Sequence, residues 1–148
     1  MELQSLAFRR EIGMPRFFNP QGVALPASNY HQGAIYVGPA TRLIASGQVG
    51  VRLDGSIPEH LEEQMELAWD NLASVLAEGG MSLGNLVKIT AFVTVPGSVG
   101  LFRAVRDRRL LNHAPACTYI EVSGLASPAF LMELEGEAVQ ELNKEHVE

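Results

Sequence analysis

Two groups of residues in this chain have side chains that could do chemistry. One is the single cysteine, Cys117, which follows a proline turn four residues after His113. A cysteine becomes a nucleophile when a base or a lowered pKa activates it, whereas a free cysteine is more often a small buried hydrophobe. The other is the alternating row Glu133, Glu135 and Glu137, in which a carboxyl group could orient water in a cleft or could simply be solvated. Spacing alone does not decide between the catalytic and the structural interpretation of either group.

The arginines at 103–109 are the best argument for an anionic ligand. Arg106 and Arg109 are three residues apart and share one face of a helix. Nucleic acid is not expected, because this run contains no aromatic residue for base stacking and the chain's formal net charge is -6. Most such runs are solvated helix faces that pair with acids, and the chain has 17 of these.

The four histidines are too widely spaced for a metal site, so the sequence predicts neither a metal nor a cofactor.

The elements that must position these residues alternate between strands and helices. Strand-like runs, HQGAIYVG and TRLIASGQVGV, precede a helix with a capping-box spacing at Ser56 and Glu59 and a stop at Gly79 and Gly80. Its apolar residues are Leu61, Met65, Ala68, Leu72 and Leu76. A strand over 87–95 and a helix from near Ser98 follow, and then the strands CTYIEVSGL and AFLMELEGEAVQEL.

Two helices can cover only one face of such a sheet. The order of elements therefore predicts an α+β fold with a mixed sheet of about six strands and two helices on one face. The other face carries the alternating glutamates, and it is also apolar if Phe92, Cys117 and Tyr119 share it. A face of mixed character is often a subunit interface, so we expect an oligomer.

Length and composition limit the class of protein. A chain of 148 residues with 47% hydrophobic and 19% charged residues is typical of one soluble globular domain. One cysteine excludes an internal disulfide, and no apolar run is long enough for a membrane span. The N-terminus lacks a secretory signal, so we expect a cytoplasmic protein. We divide the chain into an N-terminal extension (1–18), a single domain (19–142) and a C-terminal tail (143–148).

The longest recognisable segment is SGQVGVRLDGSIPEHLEEQMELAWDNLASVLAEGGMSLGNLVKITAFVTV, followed later by PACTYIEV and a glutamate-rich last strand. From about Asn19 to Val139 the chain resembles the reactive intermediate deaminase (Rid) or YjgF-type family, many of whose members carry the label endoribonuclease L-PSP or translation inhibitor. The resemblance implies a chorismate-mutase-like fold and a homotrimer with clefts between subunits. It also implies hydrolysis of 2-aminoacrylate-type enamines and imines to 2-keto acids and ammonia.

The resemblance implies a set of site residues, with Glu133 as the catalytic group that handles water. The substrate-binding residues would be Tyr30, Ser46, Gly47, Arg103, Cys117 and Tyr119. Two of these depart from the family pattern, because Cys117 stands where deaminating members have a carboxylate-binding Arg, and Arg103 stands where they have Asn. A thiol cannot pair with a carboxylate, so Arg103 is the candidate anion anchor.

Two functions of different classes follow. The first is a hydrolytic deaminase or related hydrolase of a small imine, enamine or carbonyl compound. The second, motivated by the missing Arg, is a non-catalytic trimer that binds a small metabolite as a sensor or chaperone-like protein. An endoribonuclease or translation inhibitor is a third reading, which the acidic charge disfavours.

Overall fold

The computed structural model describes residues 14–142 of the chain, and their strands form two sheets. The smaller sheet pairs two antiparallel strands, β1 (Arg16–Phe18) and β2 (Gly33–Ile35). The larger sheet consists of β3 (Ala40–Val49), β4 (Leu86–Val93), β5 (Ala116–Glu121) and β6 (Met132–Glu141). Its order is β3-β6-β4-β5, in which β4 and β5 are parallel and the other neighbours antiparallel.

Two α-helices, α1 (Leu61–Glu78) and α2 (Val99–Leu110), pack on one face of the larger sheet, and a 3₁₀ turn at Leu83–Asn85 leads into β4. The predicted α+β architecture is therefore confirmed, with four strands in the main sheet and two beside it. Strand β1 lies within the predicted N-terminal extension. Most of that extension lies outside the described residues, as does the predicted tail at 143–148.

Helix α1 supplies most of the core. The predicted stripe is confirmed, since Met65, Ala68, Leu72 and Leu76 are fully buried. Gln64 is also fully buried, although it is polar. Its amide Nε2 donates to the carbonyl oxygens of Pro58 and Ala129 at 2.8 and 2.9 Å, and its Oε1 accepts from the Leu131 amide at 2.9 Å. This side chain ties the start of α1 to the turn before β6.

The predicted capping box at Ser56 and Glu59 is wrong. Helix α1 begins at Leu61 with His60 as its N-cap residue, one turn later than the sequence spacing suggested. The Ser56 amide and hydroxyl both donate to Asp54 Oδ1, at 2.9 and 2.7 Å. An aspartate that closes its own turn in this way competes with helix capping for the same groups.

The pairing of the strands shows which side chains lie on the open face of the sheet, and it corrects the prediction for that face. Cys117 and Tyr119 pair with Ile89 and Ala91, which are fully buried, so these two side chains point toward the helices. Phe92 has the opposite parity and lies on the open face. The three residues therefore do not share a face, and the sequence could not show this because both alternations along β5 contain apolar residues.

The open face still carries both apolar and charged side chains. Its members are Arg42, Ile44, Lys88, Thr90, Phe92, Thr118, Ile120, Glu135 and Glu137. Ile44 is 66% exposed, and Arg42 forms an ion pair with Glu137 at 2.9 Å. This mixed character is the feature from which the sequence predicted a subunit interface.

Candidate functional site

A cleft of about 200 Å³ opens between α2, β5 and the loop that precedes β2. Its lining residues are Ser28, Tyr30, Val99, Phe102, Arg103, Arg106, Cys117 and Tyr119. The structure thus brings together four of the predicted substrate-binding residues, which come from three separate segments of the chain. Ser28 and Arg106 line the same cleft and were not among the predicted residues.

Arg106 lines the cleft with a side chain that is only 3% exposed. Its Nε donates to Asp107 Oδ1 at 2.9 Å and its Nη2 to Ser28 Oγ at 3.3 Å. Its Nη1 lies 3.8 Å from Cys117 Sγ, and its guanidinium lies over the Phe102 ring at 5.7 Å from the centroid. A positive charge therefore stands directly beside the Cys117 thiol.

Cys117 does not have the surroundings of a nucleophile. Burial raises the pKa of its thiol, and the opposing hydrogen bond and charge of Arg106 do not compensate. His113, the base suggested by sequence proximity, directs Nε2 at the Leu86 carbonyl oxygen at 2.6 Å. The thiol thus packs against Arg106 and is not activated as a nucleophile.

Tyr119 and the start of α2 form the other wall of the cleft. The Tyr119 hydroxyl donates to Glu121 Oε2 at 2.7 Å, and the Gly97 amide donates to the same oxygen at 2.9 Å. Burial together with this carboxylate raises the pKa of Tyr119 to about 12. The hydrogen bond from Tyr119 and those from the helix start hold the pKa of Glu121 below its ordinary value. Tyr119 is therefore a neutral phenol at physiological pH.

The loop that carries Tyr30 is held by two imidazoles and an aromatic ring. His31 Nδ1 is hydrogen-bonded to the Ala114 carbonyl, and His31 forms a parallel bridge to Ala116 at the start of β5. The Phe17 ring in β1 lies 5.5 Å from the His31 ring and 5.3 Å from the His113 ring, centroid to centroid. Strand β1 and the Tyr30 loop thus form one packed unit against β5.

Ser46, Gly47 and Glu133 form a second group on the other face of the sheet. Glu133 pairs with Phe92 and so points away from the face that carries Cys117. A Cβ on Gly47 would lie 1.8 Å from Glu133 Oε1, so any larger residue at position 47 would displace this carboxyl group from its place beside the irregular register after Ala45. Within one chain, the predicted catalytic glutamate is therefore separated from the cleft.

Two other arginines of α2, Arg108 and Arg109, have a structural role. Arg108 pairs with Glu66, and Arg109 lies 2.7 Å from both Glu66 Oε2 and Asp70 Oδ1 on α1. Burial alone would raise the pKa of Glu66, but its hydrogen bonds and charge interactions with the two arginines hold the pKa below its ordinary value. The acid-paired reading is thus confirmed for these two residues. Although Arg106 and Arg109 are three apart, they serve different partners.

Within residues 14–142, no group of three His, Cys, Asp or Glu side chains is arranged to hold a metal ion. Across the same residues, neither helix is long and apolar enough to span a membrane.

Comparison with proteins of known sequence shows the family. The sequence profile described as Endoribonuclease L-PSP matches residues 22–140. The chain is 41% identical over 54 residues to the RutC family protein YjgH of Escherichia coli, covering 36% of this chain and 41% of YjgH. It is 30% identical over 74 residues to the putative reactive intermediate deaminase TdcF of E. coli, covering 50% of this chain and 47% of TdcF. These matches span about half the length of the relatives or less.

Solved structures show the same fold. The conserved Rid family protein YyfB of Yersinia pestis superposes with a TM-score of 0.75 at 23% identity, covering 84% of this chain and 97% of that one. A putative endoribonuclease of Thermotoga maritima gives a TM-score of 0.65 at 29% identity, covering 87% and 100%. These neighbours confirm the predicted chorismate-mutase-like α+β class. The chain belongs to the endoribonuclease L-PSP family, to which the Rid resemblance pointed.

Proposed function

We propose that this protein hydrolyses a small imine or enamine to a carbonyl compound and ammonia in a cleft between two copies of the chain. The observation that supports the proposal most directly is the guanidinium of Arg106 beside Cys117 Sγ, at 3.8 Å. Cys117 stands where the family resemblance implies a carboxylate-binding arginine, but α2 places the buried guanidinium of Arg106 beside it. An anionic substrate group would bind there with Tyr30 and Ser28 alongside.

The reaction needs one water molecule and no other co-reactant. An enamine first takes up a proton at carbon to become the iminium ion, which is the protonated imine. Water then adds to the C=N carbon, giving a neutral carbinolamine, while a carboxylate accepts the proton that the water loses. The resulting carboxylic acid passes this proton to the amino nitrogen, the carboxylate takes the hydroxyl proton as the C=O bond forms, and the C–N bond breaks so that ammonia leaves. Arg106 would hold the substrate's anionic group during both steps.

Glu133 is the carboxylate that we assign to this proton. It lies on the opposite face of the sheet from Cys117 in its own chain, so it would serve the cleft of a neighbouring copy. The open face with its exposed Ile44 would form the contact between copies, in the homotrimer that the family resemblance implies. Ser46 and Gly47, which adjoin Glu133, would enter the neighbour's cleft with it.

Mixing two inactive variants tests whether the site is shared. Glu133→Gln and Arg106→Gln are purified separately, checked for folding by circular dichroism, and then unfolded and refolded together in equal amounts. In a ring whose sites lie between neighbours, about a quarter of the sites would receive both native residues, and about a quarter of the activity would return. If both residues acted within one copy, the mixture would stay as inactive as either variant refolded alone.

Ammonia-coupled turnover of freshly generated 2-iminopropionate and 2-aminoacrylate tests the reaction itself. A deaminating relative serves as the positive control. We expect ammonia release above the spontaneous rate, and its loss in Glu133→Gln. Native-like turnover by Glu133→Gln would remove Glu133 from the mechanism.

A non-catalytic ligand-binding protein is the second candidate, and one observation favours it. The cleft of a single chain contains two arginines and several other hydrogen-bond donors, but no carboxylate is among its lining residues. Such a protein would be stabilised by ligand without turning it over. Sustained ammonia release would exclude this candidate.

A further inference from the structure

We propose that the cleft selects a small dianion, an imine or enamine with two acidic groups, through Arg106 at its floor and Arg103 one helical turn away. This inference rests on the proposed function for the reacting group, but the charge selectivity stands on the cleft itself. The proposed function needs only one acidic group on the substrate, which a single arginine would bind, whereas this inference adds a second acidic group.

The charge of Arg106 is only partly balanced by the protein. A buried guanidinium is costly unless it is paired and fully hydrogen-bonded. Its ion-pair partner is Asp107, whose side chain is 43% exposed and which contacts only Nε. Three of its five N–H groups reach Asp107, Cys117 and Ser28, so two remain for an acceptor from outside residues 14–142. An anion in the cleft would complete the set.

Arg103 supplies a second cation to the cleft. It lines the same cleft, is half-buried, and makes no ion pair or hydrogen bond with the described part of the chain. The contrast with its neighbours on α2 is sharp, because Arg108 and Arg109 are both paired with acids of α1. An arginine without a partner among residues 14–142, in a chain of net charge -6, is available to a ligand.

The spacing of the two arginines limits the size of the ligand. Residues i and i+3 of a helix lie on one face and differ by about 4.5 Å along the axis. This separation suits two carboxylates joined by a short carbon chain. Glu121, the nearest acid on β5, is already engaged by the Tyr119 hydroxyl and the Gly97 amide, so it does not neutralise the pair.

A pair of ligands that differ in one charge tests the inference. Succinate and its half-amide, succinamate, have nearly the same shape, but at pH 7.5 the first carries two negative charges and the second one. Binding is measured by calorimetry on the native chain, on Arg103→Gln and on Arg52→Gln. Arg52 is a matched control, since its guanidinium bonds Ser56 and Glu63 outside the cleft.

We expect the native chain and Arg52→Gln to bind succinate at least about tenfold more tightly than succinamate, as one charge-assisted hydrogen bond would give. In Arg103→Gln the two ligands should bind equally. Arg103 is not part of the core, so this variant remains informative even if Arg106→Gln fails to fold. Equal binding of both ligands to the native chain, an unchanged preference in Arg103→Gln, or no binding of succinate would each overturn the inference.

These outcomes are separate from those of the turnover assay. Ammonia release from 2-iminopropionate without a dianion preference would retain the proposed function and refute this inference. A dianion preference without ammonia release from any imine would retain the charge selectivity and refute the proposed function.

Discussion

Introducing an arginine at position 117, where the family resemblance implies one, should destabilise this protein rather than activate it. Cys117 Sγ is 3.8 Å from Arg106 Nη1, so Cys117→Arg would bring two guanidinium groups together in a half-buried cleft. Two like charges 4 Å apart repel by about 4 kcal/mol at an effective dielectric constant of 20. Because water enters the open cleft and the new side chain can reach past the sulfur, we expect about 2 kcal/mol. For a domain of this size that lowers Tm by about 6 °C.

The compensating change is Arg106→Met in the same chain. Cys117→Arg with Arg106→Met should recover most of the lost Tm and should hydrolyse 2-iminopropionate faster than either single variant. Thermal unfolding and ammonia-coupled turnover are measured on the four members of this double-mutant cycle. Cys117→Met controls for added bulk without charge. A Cys117→Arg variant as stable as the native chain, with no coupling to Arg106→Met, would refute the placement of Arg106.

Three further predictions concern stability and ionisation. Gln64→Leu should lower the free energy of unfolding in urea by about 3 kcal/mol, because it leaves three backbone groups without their partner; a loss below about 1 kcal/mol would contradict this. Since Glu66 has a lowered pKa in the folded chain, its contribution is present above the unfolded value and lost as pH falls through the folded one. The stability difference between native and Glu66→Gln should therefore shrink below about pH 4. In Glu121→Gln the Tyr119 pKa should fall from about 12 toward 10, as read by alkaline ultraviolet titration against Tyr119→Phe.

The sequence predicted the elements well because burial is periodic in this chain. The stripe from Met65 to Leu76 repeats at helical spacing, and β4 alternates cleanly between buried and half-buried residues. The start of α1 was misplaced because Asp54 and Ser56 suit a local turn as well as a helix cap. Only the contact at Asp54 Oδ1 decides between them.

Part of the grouping of candidate site residues could be predicted from the sequence, and Arg106 shows why the rest was not. Tyr30, Arg103, Cys117 and Tyr119 line one cleft, and their role in binding a substrate stays a prediction. The sequence groups Arg106 with the other arginines of 103–109, although it follows Phe102 by four residues and so lies on the buried face of α2. That spacing was the available signal.

The separation of Glu133 from the cleft carried no such signal. The alternation along β6 predicts that the glutamates lie on the open face, but both alternations along β5 contain apolar residues, so sequence spacing does not specify which face Cys117 occupies.

The packing of Phe17 against His31 and His113 affects how this protein should be engineered. A tag fused directly before Arg16, or a version trimmed to begin after Phe18, would disturb the fastening of the loop that presents Tyr30. Ligand affinity could then fall although every cleft residue is intact, and the loss would be misread as a property of the native site. Truncation series should therefore treat β1 as part of the support of the cleft.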